Sequence, residues 1–394
     1  MLVIVAPGQG AQTPGFLTPW LEDPVFAQRF TWLSTVAGLD LVHYGTEADA
    51  DTIRDTRIAQ PLLVATGLVT ALQLFPHPAD AFAKVGAVAG HSVGEITAAV
   101  GSRVLTAEQA MVLVRERGEA MARAAEATPT GMTAVLGGDR DEVLAALARH
   151  ELTPANDNGP GQVVAAGTAE QLAALAADPP AKARLMPLSV AGAFHTEHMA
   201  PAVGHLASLA RSVSTHDPRT RVISNADGTV VHDGREILSR LVTQIANPVR
   251  WDLCLETMSD LGVTGILEMP PAGTLTGIAK RALKGVETFA LKSPDQLDEA
   301  RAFCQRHGEE SPIQTTPTWR MVVSPGKGTF IRDAAAADAD ELAAGALVGQ
   351  VAGSRDATDI RAAHGGQVVE WLVEDGDLVS PGQPLLRLHP VAGH

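Results

Sequence analysis

The feature that most constrains this chain is a five-residue turn, Gly90-His91-Ser92-Val93-Gly94, set behind the apolar run Val85–Ala89 and ahead of a helix-forming stretch. A buried strand that turns sharply into a helix brings its backbone close to itself. Glycine at both ends of the turn removes the side chains that would clash. The turn projects the Ser92 hydroxyl from the carboxyl end of a strand, and the Val93 N–H and the helix start lie behind it as donors for an oxyanion. An earlier apolar run, Leu2–Ala6, ends in Pro7-Gly8 and reads as a buried parallel strand. Its loop, Gly8-Gln9-Gly10-Ala11-Gln12, lies where α/β folds place ligands, and Gln9 is a candidate second oxyanion donor. In a chain with 37 glycines, either loop taken alone also reads as an ordinary turn.

The stretch Thr106–Ala125 has the period of an amphipathic helix. At about 100° per residue, Ala110, Val114, Gly118, Met121 and Ala125 share one apolar face, and Arg117 falls in its middle. Arg115, Glu116, Glu119 and Arg123 take the opposite side. Burying a guanidinium without an anion is costly. Either a remote carboxylate pairs with Arg117 inside the protein, or Arg117 is a two-pronged clamp for the carboxylate of a ligand. A serine nucleophile also needs a base, usually histidine. The chain has 13 histidines, and spacing does not separate His195, in Gly192-Ala193-Phe194-His195-Thr196, from His198 or His91.

Taken with further segments, these motifs carry a resemblance. They are Pro-Gly-Gln-Gly-Ala-Gln at 7–12, Ala-Gln-Pro at 59–61, Gly-His-Ser-Val-Gly-Glu at 90–95 and Arg-Glu-Arg-Gly at 115–118. They continue with Asn-Gly-Pro-Gly-Gln-Val-Val at 158–164, Gly-Ala-Phe-His-Thr at 192–196 and Gln-Ile-Ala-Asn-Pro-Val-Arg-Trp at 244–251. Over about residues 1–307 the chain resembles the malonyl-CoA:acyl carrier protein transacylases of dissociated fatty acid synthesis and the related acyltransferase domains of polyketide synthases. The resemblance implies Ser92 as nucleophile, His195 as a base oriented by backbone carbonyls, and an oxyanion hole from Gln9 and the Val93 amide. It implies Arg117 as the grip on a malonyl carboxylate, Gln244 beside the catalytic histidine, and Asn158 and Met121 in the pocket. Phe194 goes with malonyl in related enzymes, where its ring fills the volume an α-methyl would need. The implied partners are malonyl-CoA and an acyl carrier protein, with no resident cofactor or metal. Lys280, Arg281 and Lys284, or Lys182 and Arg184, are candidate landing sites for an acidic carrier.

The implied fold is α/β, a hydrolase-like core with a parallel sheet and a ferredoxin-like α+β insert. The residues agree with it. Thr133–Leu136, Gln162–Ala166 and Ala183–Ser189 read as strands, with helices at Asp141–His150 and Ala169–Ala177. The core therefore takes 1–126 and 191–307, ending in a helix near Asp295–Arg306, and the insert takes 127–190. A Pro/Thr/Ser-rich linker at 308–318 follows. Beyond it, residues 319–394 carry a weak repeat offset by 37, with Gly365 answering Gly328, Asp377 answering Asp340 and Gly382 answering Gly345. This tail reads as a small all-β domain and resembles biotinyl/lipoyl carrier modules. The hairpin that bears the modified lysine in such modules is here Gly353-Ser354-Arg355-Asp356-Ala357, and no lysine follows Lys327. No biotin or lipoyl attachment is expected; docking or self-association is.

A formal net charge of −15 argues against nucleic-acid or anionic-membrane binding. Two distant cysteines give neither a disulfide framework nor a metal signature, which suits a reducing cytoplasmic setting. The N-terminus lacks the marks of a signal peptide, and no apolar stretch reads as long enough to span a bilayer. Two other readings remain: a serine thioesterase or esterase with the same turn, and a scaffold subunit acting through its C-terminal module.

Overall fold

A computed structural model describes residues 1–76, 81, 84–308, 320–337, 339–353 and 356–389. The chain divides into two compact units, Met1–Ile313 and Gln314–His394. Apart from Gly308, the expected linker lies outside the described residues, as do Ser354 and Arg355 of the tail hairpin.

In the first unit, β1 (Leu2–Ala6), β2 (Val85–Gly90), β7 (Arg221–Ile223), β8 (Val230–Val231), β10 (Gly265–Glu268) and β11 (Glu287–Ala290) form one sheet. Its order is β11-β10-β1-β2-β7-β8, parallel except for the β7–β8 hairpin. β1 and β2 are buried along almost their whole length, as continuous apolar runs under helices must be. Their carboxyl ends lie side by side, with Ala6 paired to Gly90, so the two Gly-rich loops emerge together. A side chain at Gly90 would overlap the Gly94 backbone, and one at Gly94 would overlap Ala6, so both ends of the turn require glycine.

A second sheet gathers β3 (Thr130–Gly137), β4 (Thr153–Asp157), β5 (Gln162–Thr168) and β6 (Ala183–Pro187) in the order β6-β3-β5-β4. With the helices Arg140–Arg149 and Ala169–Ala177 between them, this is the expected ferredoxin-like arrangement. The sequence reading did not assign β4. Its Thr-Pro-Ala-Asn-Asp lacks a strand's apolar alternation, and it gains its place from pairing with β5. β9 (Val249–Arg250) adds to this sheet in parallel with β4 and ties the returning main chain to the insert.

The helix Ala107–Glu126 begins at a capping box: Thr106 Oγ1 accepts from Gln109 N–H (3.2 Å), and Gln109 Oε1 accepts from Thr106 N–H (2.9 Å). It packs against the helix Thr56–Leu74, where a side chain at Gly118 would sit 2.8 Å from the Thr56 carbonyl. One expectation needs correcting here. At 19 residues, Thr56–Leu74 is long and apolar enough to cross a membrane, but 72% of it is buried inside the protein. An apolar helix enclosed on nearly all sides is also what a protein core requires.

The second unit holds two four-stranded antiparallel sheets. One is β12 (Arg320–Val323), β19 (Pro384–His389), β17 (Gly366–Trp371) and β14 (Glu341–Leu342); the other is β16 (Ala357–Arg361), β15 (Leu347–Ala352), β13 (Gly328–Arg332) and β18 (Leu378–Val379). An offset of 37 residues carries Arg320 to Ala357, Glu341 to Leu378 and Leu347 to Pro384, and so converts one sheet into the other. The short strands cross over, β14 onto β17 and β18 onto β13, so neither half completes its own sheet. Phe330, Val348, Leu385 and Leu386 fill the space between the sheets.

Candidate active site

Ser92 stands in the turn with φ 52°, a left-handed conformation uncommon outside glycine. Its backbone N–H donates to Asn225 Oδ1 (2.8 Å), and Asn225 Nδ2 donates to the Gly90 carbonyl (2.8 Å). The last residue of β2 and the serine at the centre of the turn are thus held by one amide just past the end of β7. Ser92 Oγ lies 2.7 Å from His195 Nε2. His195 is also left-handed, at φ 62°, and its backbone N–H donates to the Ile245 carbonyl (2.9 Å). Its Nδ1 lies 2.8 Å from the Gln244 carbonyl. A carbonyl only accepts, so Nδ1 carries the proton and Nε2 is left as the acceptor for the Ser92 hydroxyl. Burial, and then the positive charge of Arg117, push His195 down to about 3, which keeps this ring neutral.

Arg117 is 2% exposed. Its Nη1 donates to Gln60 Oε1 (2.7 Å), and its Nη2 donates to Gln244 Oε1 (2.8 Å) and Ser92 Oγ (3.2 Å). Among the described residues, no carboxylate reaches it within ion-pair distance. The alternative of an internal ion pair therefore fails, and two neutral amides hold the guanidinium against Ser92. Burial lowers its pKa to about 10, while Glu95 opposes that shift, so it remains a cation.

Gln244 joins these groups. Besides its contacts with Arg117 and His195, its Nε2 donates to the Ser92 carbonyl (3.2 Å) and to Glu95 Oε2. Ser92, His195, Arg117 and Gln244 thus meet in one hydrogen-bonded cluster. The other sequence candidates stand a step further out. Met121 Sδ accepts from Gln60 Nε2 (3.5 Å) and so backs the residue that holds Arg117. Asn158 Oδ1 is 2.8 Å from Nε2 of His91, whose ring meets the Trp251 edge at 5.7 Å. Phe194 is buried beside His195 in the main core. The Gln9 side chain turns away, donating to the Arg54 carbonyl (3.1 Å) and Thr56 Oγ1 (3.3 Å). What Gln9 has left to offer an oxyanion is its backbone N–H. Among the described residues, neither that N–H nor the Val93 N–H has a partner.

Sequence reasoning missed Gln60, Glu95 and Asn225. Gln60 carried a signal, as an amide beside the apolar run that makes up most of the helix Thr56–Leu74. Asn225 carried none beyond its place after an apolar strand. Among the described residues, no cluster of His, Cys, Asp or Glu is arranged to hold a metal.

Residues 3–306 match the acyl transferase domain family. This chain belongs to the acyl transferase family. Its relatives include the malonyl CoA-acyl carrier protein transacylase of Mycobacterium tuberculosis, 50% identical over 76% of this chain and 99% of the relative. The counterpart from Bacillus subtilis is 31% identical over 76% of this chain and 96% of its own length. Among solved structures, the Mycobacterium tuberculosis enzyme superposes with a TM-score of 0.73 at 49% identity, covering 76% of this chain and 99% of that one. A malonyl-transacylase in complex with a type II polyketide synthase acyl-carrier protein superposes at 0.70 with 30% identity, over the same shares. The family match ends at residue 306, so the second unit lies beyond it.

Proposed function

We propose that this protein carries a malonyl group from malonyl-CoA to the phosphopantetheine thiol of an acyl carrier protein, through a malonyl ester on Ser92. The observation that carries this reading is the buried Arg117 guanidinium, 3.2 Å from Ser92 Oγ and held by amides rather than by an acid. A cation kept free of internal carboxylates beside a nucleophile suits an acyl group that ends in a carboxylate.

In this reading His195 Nε2 takes the Ser92 proton as Oγ attacks the thioester carbonyl. The Val93 and Gln9 backbone N–H groups receive the oxyanion, each worth about 3–4 kcal/mol in the transition state. The tetrahedral intermediate collapses, the carbon–sulfur bond breaks, and coenzyme A leaves with the proton from His195. The carrier thiol then gives its proton to His195, its sulfur attacks the malonyl ester, and Ser92 recovers its proton. Met121 supports the acyl pocket through Gln60, Asn158 does so through His91, and Phe194 restricts the room for an α-methyl. No bound cofactor takes part, and the reaction belongs to cytoplasmic fatty acid or polyketide synthesis.

The acyltransferase proper occupies residues 1–307, with 127–190 as its insert. Residues 319–394 form a biotinyl/lipoyl-like module without the modifiable lysine, serving docking or self-association. Intact-mass and peptide mass spectrometry after incubation with equal malonyl-CoA and acetyl-CoA tests these assignments together. The expected result is a malonyl adduct on the Ser92 peptide in clear excess over acetyl, with no biotin or lipoyl mass on the tail. An adduct elsewhere, or equal acetylation, would refute the reading.

The carrier must land near this site despite the overall negative charge. Lys280 and Arg281 are exposed at the end of the helix Thr274–Ala282, with Lys284 exposed just beyond. Arg281 also donates to Gln162 Oε1 of the insert (3.1 Å). Reversing both charges, with Lys280→Glu and Arg281→Glu, should raise KM for the carrier several-fold and leave hydrolysis of malonyl-CoA unchanged. An unchanged carrier KM would move the landing site elsewhere.

A further inference from the structure

We propose that Glu95 is a positioning residue for malonyl transfer: it fixes the Gln244 side-chain amide, keeps the Arg117 guanidinium turned toward Ser92, and so sets the preference for acyl groups that end in a carboxylate. This deepens the reading above and rests on it. Glu95 opens the helix Gly94–Gly101 and is 5% exposed. Its Oε1 accepts from the Asn225 backbone N–H (2.6 Å), and its Oε2 accepts from Gln244 Nε2. Both partners are donors, so the site calls for two acceptor oxygens, which a carboxylate has and an amide lacks. With Nε2 committed to Glu95, Gln244 Oε1 must face the other way, where it accepts from Arg117 Nη2 (2.8 Å). A flipped amide would set Nε2 hydrogens against the guanidinium, donor against donor.

The arrangement also solves a charge problem. A carboxylate bonded directly to Arg117 would satisfy the guanidinium and occupy the donors a substrate needs. Here an amide stands between acid and cation. The compensating charge stays near while Nη2 still reaches Ser92 Oγ. Burial pushes the Glu95 carboxyl up to about 7, against the pull of its bonds to Asn225 and Gln244 and of the Arg117 and Arg240 charges. The neighbouring Cys254 is held as a thiol by burial and by Glu95 itself. On the far side Asn225 ties the same acid to the Ser92 turn, so one carboxylate registers nucleophile and clamp together.

The test compares wild type with Glu95→Gln, using malonyl-CoA and acetyl-CoA in turn with the carrier protein. The variant should lose at least about tenfold in the ratio of malonyl to acetyl kcat/KM, mainly through a raised KM for malonyl-CoA. Equal losses on both substrates, as general damage to the turn would produce, or an unchanged ratio, would overturn the proposal. If Glu95→Gln does not fold, Glu95→Asp keeps the charge but draws it back from Gln244 by one methylene. The ratio should fall there too, and an unchanged ratio would be equally fatal. A wild-type chain that transfers neither acyl group overturns the underlying transferase reading, and this proposal with it.

Discussion

Ser92→Ala should abolish the malonyl adduct and lower transfer by a factor of about 10⁴ or more, since a lone general base and oxyanion hole retain little of the rate once the nucleophile is gone. The fold should survive. Alanine keeps the β-carbon, so the left-handed turn costs no more than with serine, and the backbone N–H still donates to Asn225. What disappears is the oxygen between His195 Nε2 and Arg117 Nη2. Neither cysteine can take its place. The two cysteines are buried, with burial holding the Cys254 thiol well above its usual range and Cys304 up to about 12. Single-turnover mass spectrometry with malonyl-CoA, run beside a thermal melt, checks both halves. A folded variant that still acquires a malonyl group would place the acyl-enzyme at another residue.

How far this site could be read in the sequence depended on how local each signal was. The turn was legible because two glycines and a flanking strand encode its geometry within ten residues. Arg117 was legible as a cation at the wrong phase of an apolar helix, and its burial bears that reading out. Its partners were not legible. Gln60 lies 57 residues away and Gln244 lies 127 away, and no periodicity links them to Arg117. The histidine illustrates the same limit. Thirteen candidates could not be separated by spacing, and what singles out His195 is a carbonyl at Gln244 that sets its tautomer. The sidedness of Gln9 was hidden too, because the direction of a loop side chain depends on the remote Arg54–Thr56 segment. In the tail, the 37-residue offset was visible in its glycines, but the exchange of β14 and β18 between halves follows only from how the ladders pair.

Arg117→Ala should invert acyl preference rather than simply reduce activity. Removing one partner of a buried charged contact costs about 2–5 kcal/mol, or roughly 30- to 5,000-fold, so malonyl kcat/KM should fall within that range. Acetyl-CoA has no carboxylate to lose, and its kcat/KM should fall far less. Stability will suffer as well, because Gln60 Oε1 and Gln244 Oε1 lose their donor and each buried orphan costs about 1–3 kcal/mol. For that reason the decisive quantity is the malonyl-to-acetyl ratio measured on one preparation, from which any inactive fraction cancels. Arg117→Lys sharpens the result. It keeps the charge but not the planar fork, so it can reach a carboxylate only as a point charge and cannot hold both amides in the present geometry. Its ratio should lie between those of the wild type and the alanine variant. A thioesterase built on the same turn would treat Arg117 as structural and lose both substrates together. The two readings therefore part on the ratio: a fall specific to malonyl supports the clamp, and a parallel fall sinks it.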